Sequence, residues 1–123
     1  MTNLTDLAVD ALTIGAQTMP EPTAQAMTAS GDILIKNGVV TLSKAAAPLA
    51  ATLAAPIAGT DDFKRLVIVN LGDAGQAHTV APVGGLGGGV ATATSATTVG
   101  DTLELIALGG LWYIAGFHQW TFA

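Results

Sequence analysis

Two histidines, His78 and His118, and the carboxylates Asp61, Asp62 and Asp73 are the side chains of this chain best suited to acid–base chemistry or metal binding. Their spacing does not assemble them. The histidines stand alone in segments that read as strands, where an imidazole is usually a satisfied structural group. The three aspartates lack the alternating carboxylates of a calcium loop and fit turn formation instead. The glycine run Gly84 to Gly89 could be taken for a phosphate cradle, but no Lys-Ser/Thr follows it and no helical pattern begins there, so it reads as a loop. No serine, threonine or lysine sits in a nucleophile setting. The expectation is a non-enzyme with no catalytic, cofactor-binding or metal residues. One other chemistry is available: Trp112, Tyr113, Phe117 and Trp120 could stack on a sugar ring, with Trp120, beside Gln119, the best candidate for exposure.

The 123 residues suffice for one domain with a modest core. Only 11% are charged, against the usual quarter, and 50% are hydrophobic. Such a surface belongs to a membrane protein or to a subunit that hides area against partners. No window holds the roughly 20 strongly apolar residues of a spanning helix, because the alanine-rich stretch from Ala45 to Gly59 is broken by Pro48 and Pro56, so no membrane is expected. A net charge of -5 argues against nucleic acid as a partner. There is no cysteine, hence no disulfide or thiolate zinc site, and no secretory signal is expected at the N-terminus.

These side chains must be carried by strands. Residues 1–30 have the composition of an arm, with Pro20 and Pro22 in it. Leu4, Leu7, Ala8, Ala11 and Leu12 fit a helical stripe there, and an extended segment ordered on a neighbouring subunit fits equally well. Residues 31–123 form the β domain. Ile33 to Ser43 reads as a hairpin around an Asn37-Gly38 type I′ turn, pairing Ile35 with Val40 and Ile33 with Leu42. Strands follow at 50–54, 64–71, 76–81 and 90–94, with a last one at 117–122. About eight short strands separated by turns describe an all-β sandwich, jelly roll or related barrel.

The final hairpin is the strongest feature. With Gly109-Gly110 as its turn, Ala107 opposes Trp112, Leu105 opposes Ile114 and Leu103 opposes Gly116. Those residues, Leu103, Leu105, Ala107, Trp112 and Ile114, form the core face. Ile106, Leu108, Leu111 and Tyr113 fall on the opposite face, which a solitary sheet would fill with polar residues. That face is the candidate contact between copies.

Three pieces resemble small β-rich virion surface proteins of tailed bacteriophages. They are a hairpin ending Val40-Thr41-Leu42, the Ala58-Gly-Thr-Asp-Asp-x-Lys-x-Leu-x-Ile68 start of a strand, and Gly100-Asp-x-Leu-x-Leu-Ile-Ala followed by Gly110-x-Trp-Tyr113. The resemblance implies a homotrimer with the Trp-Tyr strand in its core, acting either as a head decoration (cement) protein or as a fibre or spike module. The chain has no long repetitive shaft, which favours decoration. The expected partners are then sister copies and the major capsid protein, on the capsid surface after assembly in the host cytoplasm. The alternative is a receptor-binding module for host glycans.

Overall fold

Inward Leu, Ile and Val at every second position drive the fold described by a computed structural model, which covers residues 23–45, 47–71 and 76–123. Among the described residues, ten strands make two five-stranded sheets that share one core. The first sheet has the order β1-β3-β5-β8-β9: β1 Thr23–Met27, β3 Gly38–Leu42, β5 Arg65–Asn70, β8 Thr102–Leu108 and β9 Leu111–His118. The second has the order β10-β7-β6-β4-β2: β10 Trp120–Phe122, β7 Ala93–Ser95, β6 Thr79–Pro82, β4 Ala50–Leu53 and β2 Gly31–Ile33. The all-β, two-sheet expectation holds. Among the described residues there is no helix able to cross a membrane.

The connectivity of the first six strands is parallel rather than hairpin-like. The first six strands alternate between the sheets, so that β1, β3 and β5 stack in parallel in one and β2, β4 and β6 in parallel in the other. The chain thus makes three coils of a flattened spiral. Four antiparallel strands then complete it, with β8 joining β5, β7 joining β6, and β9 and β10 on the outer edges.

The hairpin expected at Asn37-Gly38 is therefore a misreading. Ile33 lies in the second sheet beside Leu53, whereas Val40 lies in the first between Gln25 and Ile68, so neither Ile35–Val40 nor Ile33–Leu42 is a pair. Asn37 has another task. Its carbonyl accepts from the Thr23 amide at 3.3 Å and the Thr23 hydroxyl at 2.7 Å, and its side-chain oxygen accepts from the Arg65 amide at 3.4 Å. It ties the starts of β1, β3 and β5 together. Gly38 is glycine because β1 passes directly over it: a Cβ there would stand 1.8 Å from the Thr23 carbonyl oxygen, and φ is +130°.

The sheet also starts earlier than the arm boundary at residue 30 implied. Thr23–Met27 is a strand and Met27 is buried. The helical stripe at Leu4 to Leu12, and Pro20 and Pro22, lie outside the described residues. The strands expected at 50–54 and 64–71 are observed with trimmed ends, whereas those expected at 76–81 and 90–94 are shifted toward the C-terminus, to Thr79–Pro82 and Ala93–Ser95. The strand expected at 117–122 is split. Gln119, at φ +58°, turns the chain from β9 in the first sheet to β10 in the second.

The final hairpin turns at Gly109-Gly110, pairing Ala107 with Trp112, Leu105 with Ile114, Ile106 with Tyr113 and Leu108 with Leu111. One pairing fails. A bulge admits Ala115 as an extra residue in β9, so Glu104 faces Gly116 and Leu103 faces Phe117 rather than Gly116. Leu103, Leu105, Ala107 and Trp112 are fully buried, and Ile114 packs half-buried against them. The Trp112 indole donates to the Ala54 carbonyl at 3.0 Å, linking this hairpin to the chain beyond β4.

Gly38→Ala should lower unfolding stability by more than about 2 kcal/mol, because it forces backbone apart. Urea denaturation measures this. A loss near 1 kcal/mol, typical of ordinary glycine sites, would contradict the close approach of β1.

Candidate functional site

The outward positions of the first sheet follow from the burial alternation of its strands. Val39 and Thr41 on β3, Val67 and Val69 on β5, Ile106 and Leu108 on β8, and Leu111 and Tyr113 on β9 all point away from the core. Register aligns them into rows. Ala24, Val39, Val67, Glu104 and Gly116 make one, and Arg65, Ile106 and Tyr113 the next. The apolar face foreseen on the hairpin thus extends across β5 to β3. A shallow depression of about 320 Å³, lined by Asn37, Gly38, Val39, Arg65 and Val67, opens on it. Arg65 and Glu104 form an exposed ion pair in the middle. Such a pair contributes little to stability.

Not all of this face awaits an outside partner. Leu108 and Tyr113 are exposed, but Ile106 and Leu111 are half-buried within the single chain. The glycine loop provides part of Tyr113's cover. Its Gly87 amide donates to the Trp112 carbonyl at 2.7 Å, and a Cβ on Gly87 would fall 2.2 Å from the Tyr113 ring. The loop is a seat for an aromatic ring beside an edge strand.

The outer face of the second sheet is different in kind. Thr79, Thr94 and Thr121 align across β6, β7 and β10, and Asp32 and Thr52 pair on β2 and β4. Small and polar, it is what a solvated sheet surface requires.

The candidates for acid–base and metal chemistry are dispersed. Asp61 lies near the start of β5 with Ile57, while His78 packs near its far end, where Ser95 contacts Asn70. His118 is exposed at the end of β9, and Asp73 lies outside the described residues. Among the described residues, no three His, Cys, Asp or Glu side chains could hold a metal together.

Ser95, His78 and Asp101 are all buried, and Ser95 meets His78, without the contacts of a triad. Ser95 Oγ accepts from the backbone amide of His78 at 2.9 Å, and His78 Nδ1 accepts from the Leu49 amide at 2.9 Å. Ser95 Oγ is thus engaged by the backbone of His78 rather than by its imidazole, unlike a hydroxyl activated by a histidine base. Sequence reading passed over Asn70, Ser95 and Asp101. The signal was present: Asn70 continues the inward series of Leu66 and Ile68, and Asp101 opens that of Leu103 and Leu105.

The aspartates of the 59–62 turn are structural anchors. Asp61 is 3% exposed and takes hydrogen bonds from Lys64 Nζ at 2.7 Å, Lys36 Nζ at 2.9 Å and the Ile57 amide at 2.7 Å. Asp62 accepts from the Gly109 amide at 2.9 Å, fastening this turn to the hairpin tip. The aromatic platform is overturned. Trp112 and Trp120 are both buried, and Tyr113 and Phe117 stand on opposite faces of β9, Phe117 edge-on to Phe122 with centroids 4.9 Å apart.

Comparison with protein families, curated proteins and solved structures finds no match to this chain.

Hydrogen bonds from Lys64, the Ile57 amide and Lys36 hold the Asp61 carboxyl well below the usual carboxylate range, against the opposing effect of its burial. A depressed carboxylate stabilises the fold above its unfolded pKa, about 4, and that contribution is lost as pH falls further. Asp61→Ala should therefore lower stability by about 2 kcal/mol at pH 7 and by progressively less below about pH 4. Denaturation of both proteins across pH measures it, and a gap independent of pH would contradict the account.

Proposed function

We propose that this chain is a structural subunit that self-associates through the outer face of β3, β5, β8 and β9 and decorates the head of a tailed-bacteriophage virion as a cement protein. One observation supports the assembly reading: the rows built on Val39, Val67, Val69, Ile106, Leu108 and Tyr113 are mostly apolar apart from the Arg65–Glu104 ion pair, while the opposite sheet presents threonines. Contiguous apolar area of this kind marks interaction surfaces. The virion reading adds the resemblance carried by Ala58 to Ile68 and Gly100 to Tyr113.

Decoration requires binding alone. A subunit that prefers the assembled shell stabilises it by mass action, and a homotrimer multiplies each weak contact with the major capsid protein through effective concentration. The segment before Thr23 is the proposed head-binding arm. Assembly takes place in the host cytoplasm, and the finished protein sits on the capsid surface.

Sedimentation of the wild type at about 10 μM should give an oligomer, and Ile106→Glu should give a folded monomer, because a charge there is stranded inside an apolar contact. A monomeric wild type would overturn self-association. Electron microscopy of virions carrying the protein should reveal many copies at symmetric sites over the head. Density confined to tail or fibre tips would overturn decoration in favour of receptor binding.

A further inference from the structure

At the far end of β5 the core turns polar, and three side-chain oxygens there make no hydrogen bond. Asn70 is 0% exposed and Asp101 is 1% exposed. Backbone hydrogen bonds just beyond the β5–β8 ladder join them: the Asn70 amide donates to the Asp101 carbonyl at 2.9 Å, and the Gly100 amide to the Asn70 carbonyl at 2.7 Å. Asn70 is the last residue of β5 and Asp101 directly precedes β8, and both side chains are buried. The Asn70 side-chain nitrogen is directed at the Gln76 and Ala96 carbonyls at 3.4 Å and Ser95 Oγ at 3.5 Å, which fixes the orientation of the amide. Its oxygen and both carboxylate oxygens of Asp101 make no hydrogen bond.

We propose that Asn70 and Asp101 contribute the side-chain ligands of a site for a hard divalent cation, best suited to Ca²⁺. A carboxylate buried without a hydrogen bond is among the costliest features a core can contain. A single water does not resolve it, having two hydrogens for three acceptors and no charge to offer. A divalent cation meets all three oxygens at once. The donors are a carboxylate able to bind through both oxygens and an amide oxygen, the ligand types Ca²⁺ takes, with carbonyls or waters completing its shell of about six to eight. Mg²⁺ keeps its waters and demands octahedral geometry, which suits a closed core less well. The nearby His78 Nδ1 is occupied by the Leu49 amide. Bound there, the cation would fasten the Gly100-Asp101 turn to the end of β5 and so fix the entry into the closing hairpin.

The test is calorimetric titration of the full-length, EDTA-treated protein with CaCl₂, together with thermal denaturation. Saturable binding near one ion per chain and a rise in Tm of about 5 °C are expected. Asp101→Asn should abolish both effects. Should that variant fail to fold, Asn70→Ala decides, with an affinity at least about tenfold weaker. Absence of heat and of any Tm change in the wild type up to about 10 mM CaCl₂, beyond even weak extracellular sites, would overturn the proposal. Unchanged affinity in Asn70→Ala would do the same.

Discussion

Trp112 holds the two sheets of this protein in register with each other. Its indole occupies the space left by Ala107 on the neighbouring strand, and its N–H reaches the Ala54 carbonyl beyond β4 in the opposite sheet. A large side chain set against the smallest available partner packs without strain, and the hydrogen bond satisfies its one polar atom. The surrounding core of Leu53, Leu66, Leu103 and Leu105 is generic and could slide, but an indole with a fixed acceptor cannot. The hairpin it belongs to is held at its tip by Asp62, and its Tyr113 is seated on Gly87. Three separate loops thus converge on one ribbon.

That ribbon was legible from residue types because all its information is local: a Gly-Gly turn, alternating apolar residues, and large opposite small. Only the bulge at Ala115 escaped, since nothing in the run Ile114 to Phe117 marks an extra residue. The spiral was not legible, for the opposite reason. Asn37-Gly38 carries a strong local turn signal, yet here the glycine serves a backbone passing over it from β1 and the asparagine bridges to β1 and β5. The same two residues suit either purpose, and only long-range pairing distinguishes them. The 59–62 turn was recognisable from its composition, but not the convergence of two lysines on Asp61. The burial of Trp120 depended on β10 crossing to the second sheet, which a continuous strand to Phe122 concealed.

The two outer faces explain the composition. Threonine hydroxyls on β6, β7 and β10 hydrate one sheet without charge, and valine, isoleucine and tyrosine leave the other suited to contact with protein. Few charged residues are then needed, and several of those present have structural tasks. Lys36 and Lys64 go to Asp61, and Arg65 goes to Glu104. Charges used this way leave long stretches of surface neutral. Asp61 near the start of β5, and Asn70, Ser95, His78 and Asp101 toward its far end, are the buried polar side chains of the described residues.

The spiral also governs how quickly the chain can find its fold. In each of its parallel ladders, a strand must wait for a complete excursion through the opposite sheet before its neighbour arrives, so loop closure is unfavourable before any pairing compensates for it. Sheets built on distant contacts fold orders of magnitude more slowly than local ones. Until β8 and β7 arrive, β5 and β6 expose raw edges to other nascent chains, and misassembly competes with completion. A chain of this topology thus gains from a closing hairpin that forms early on its own local signals and waits as a ready template for β5.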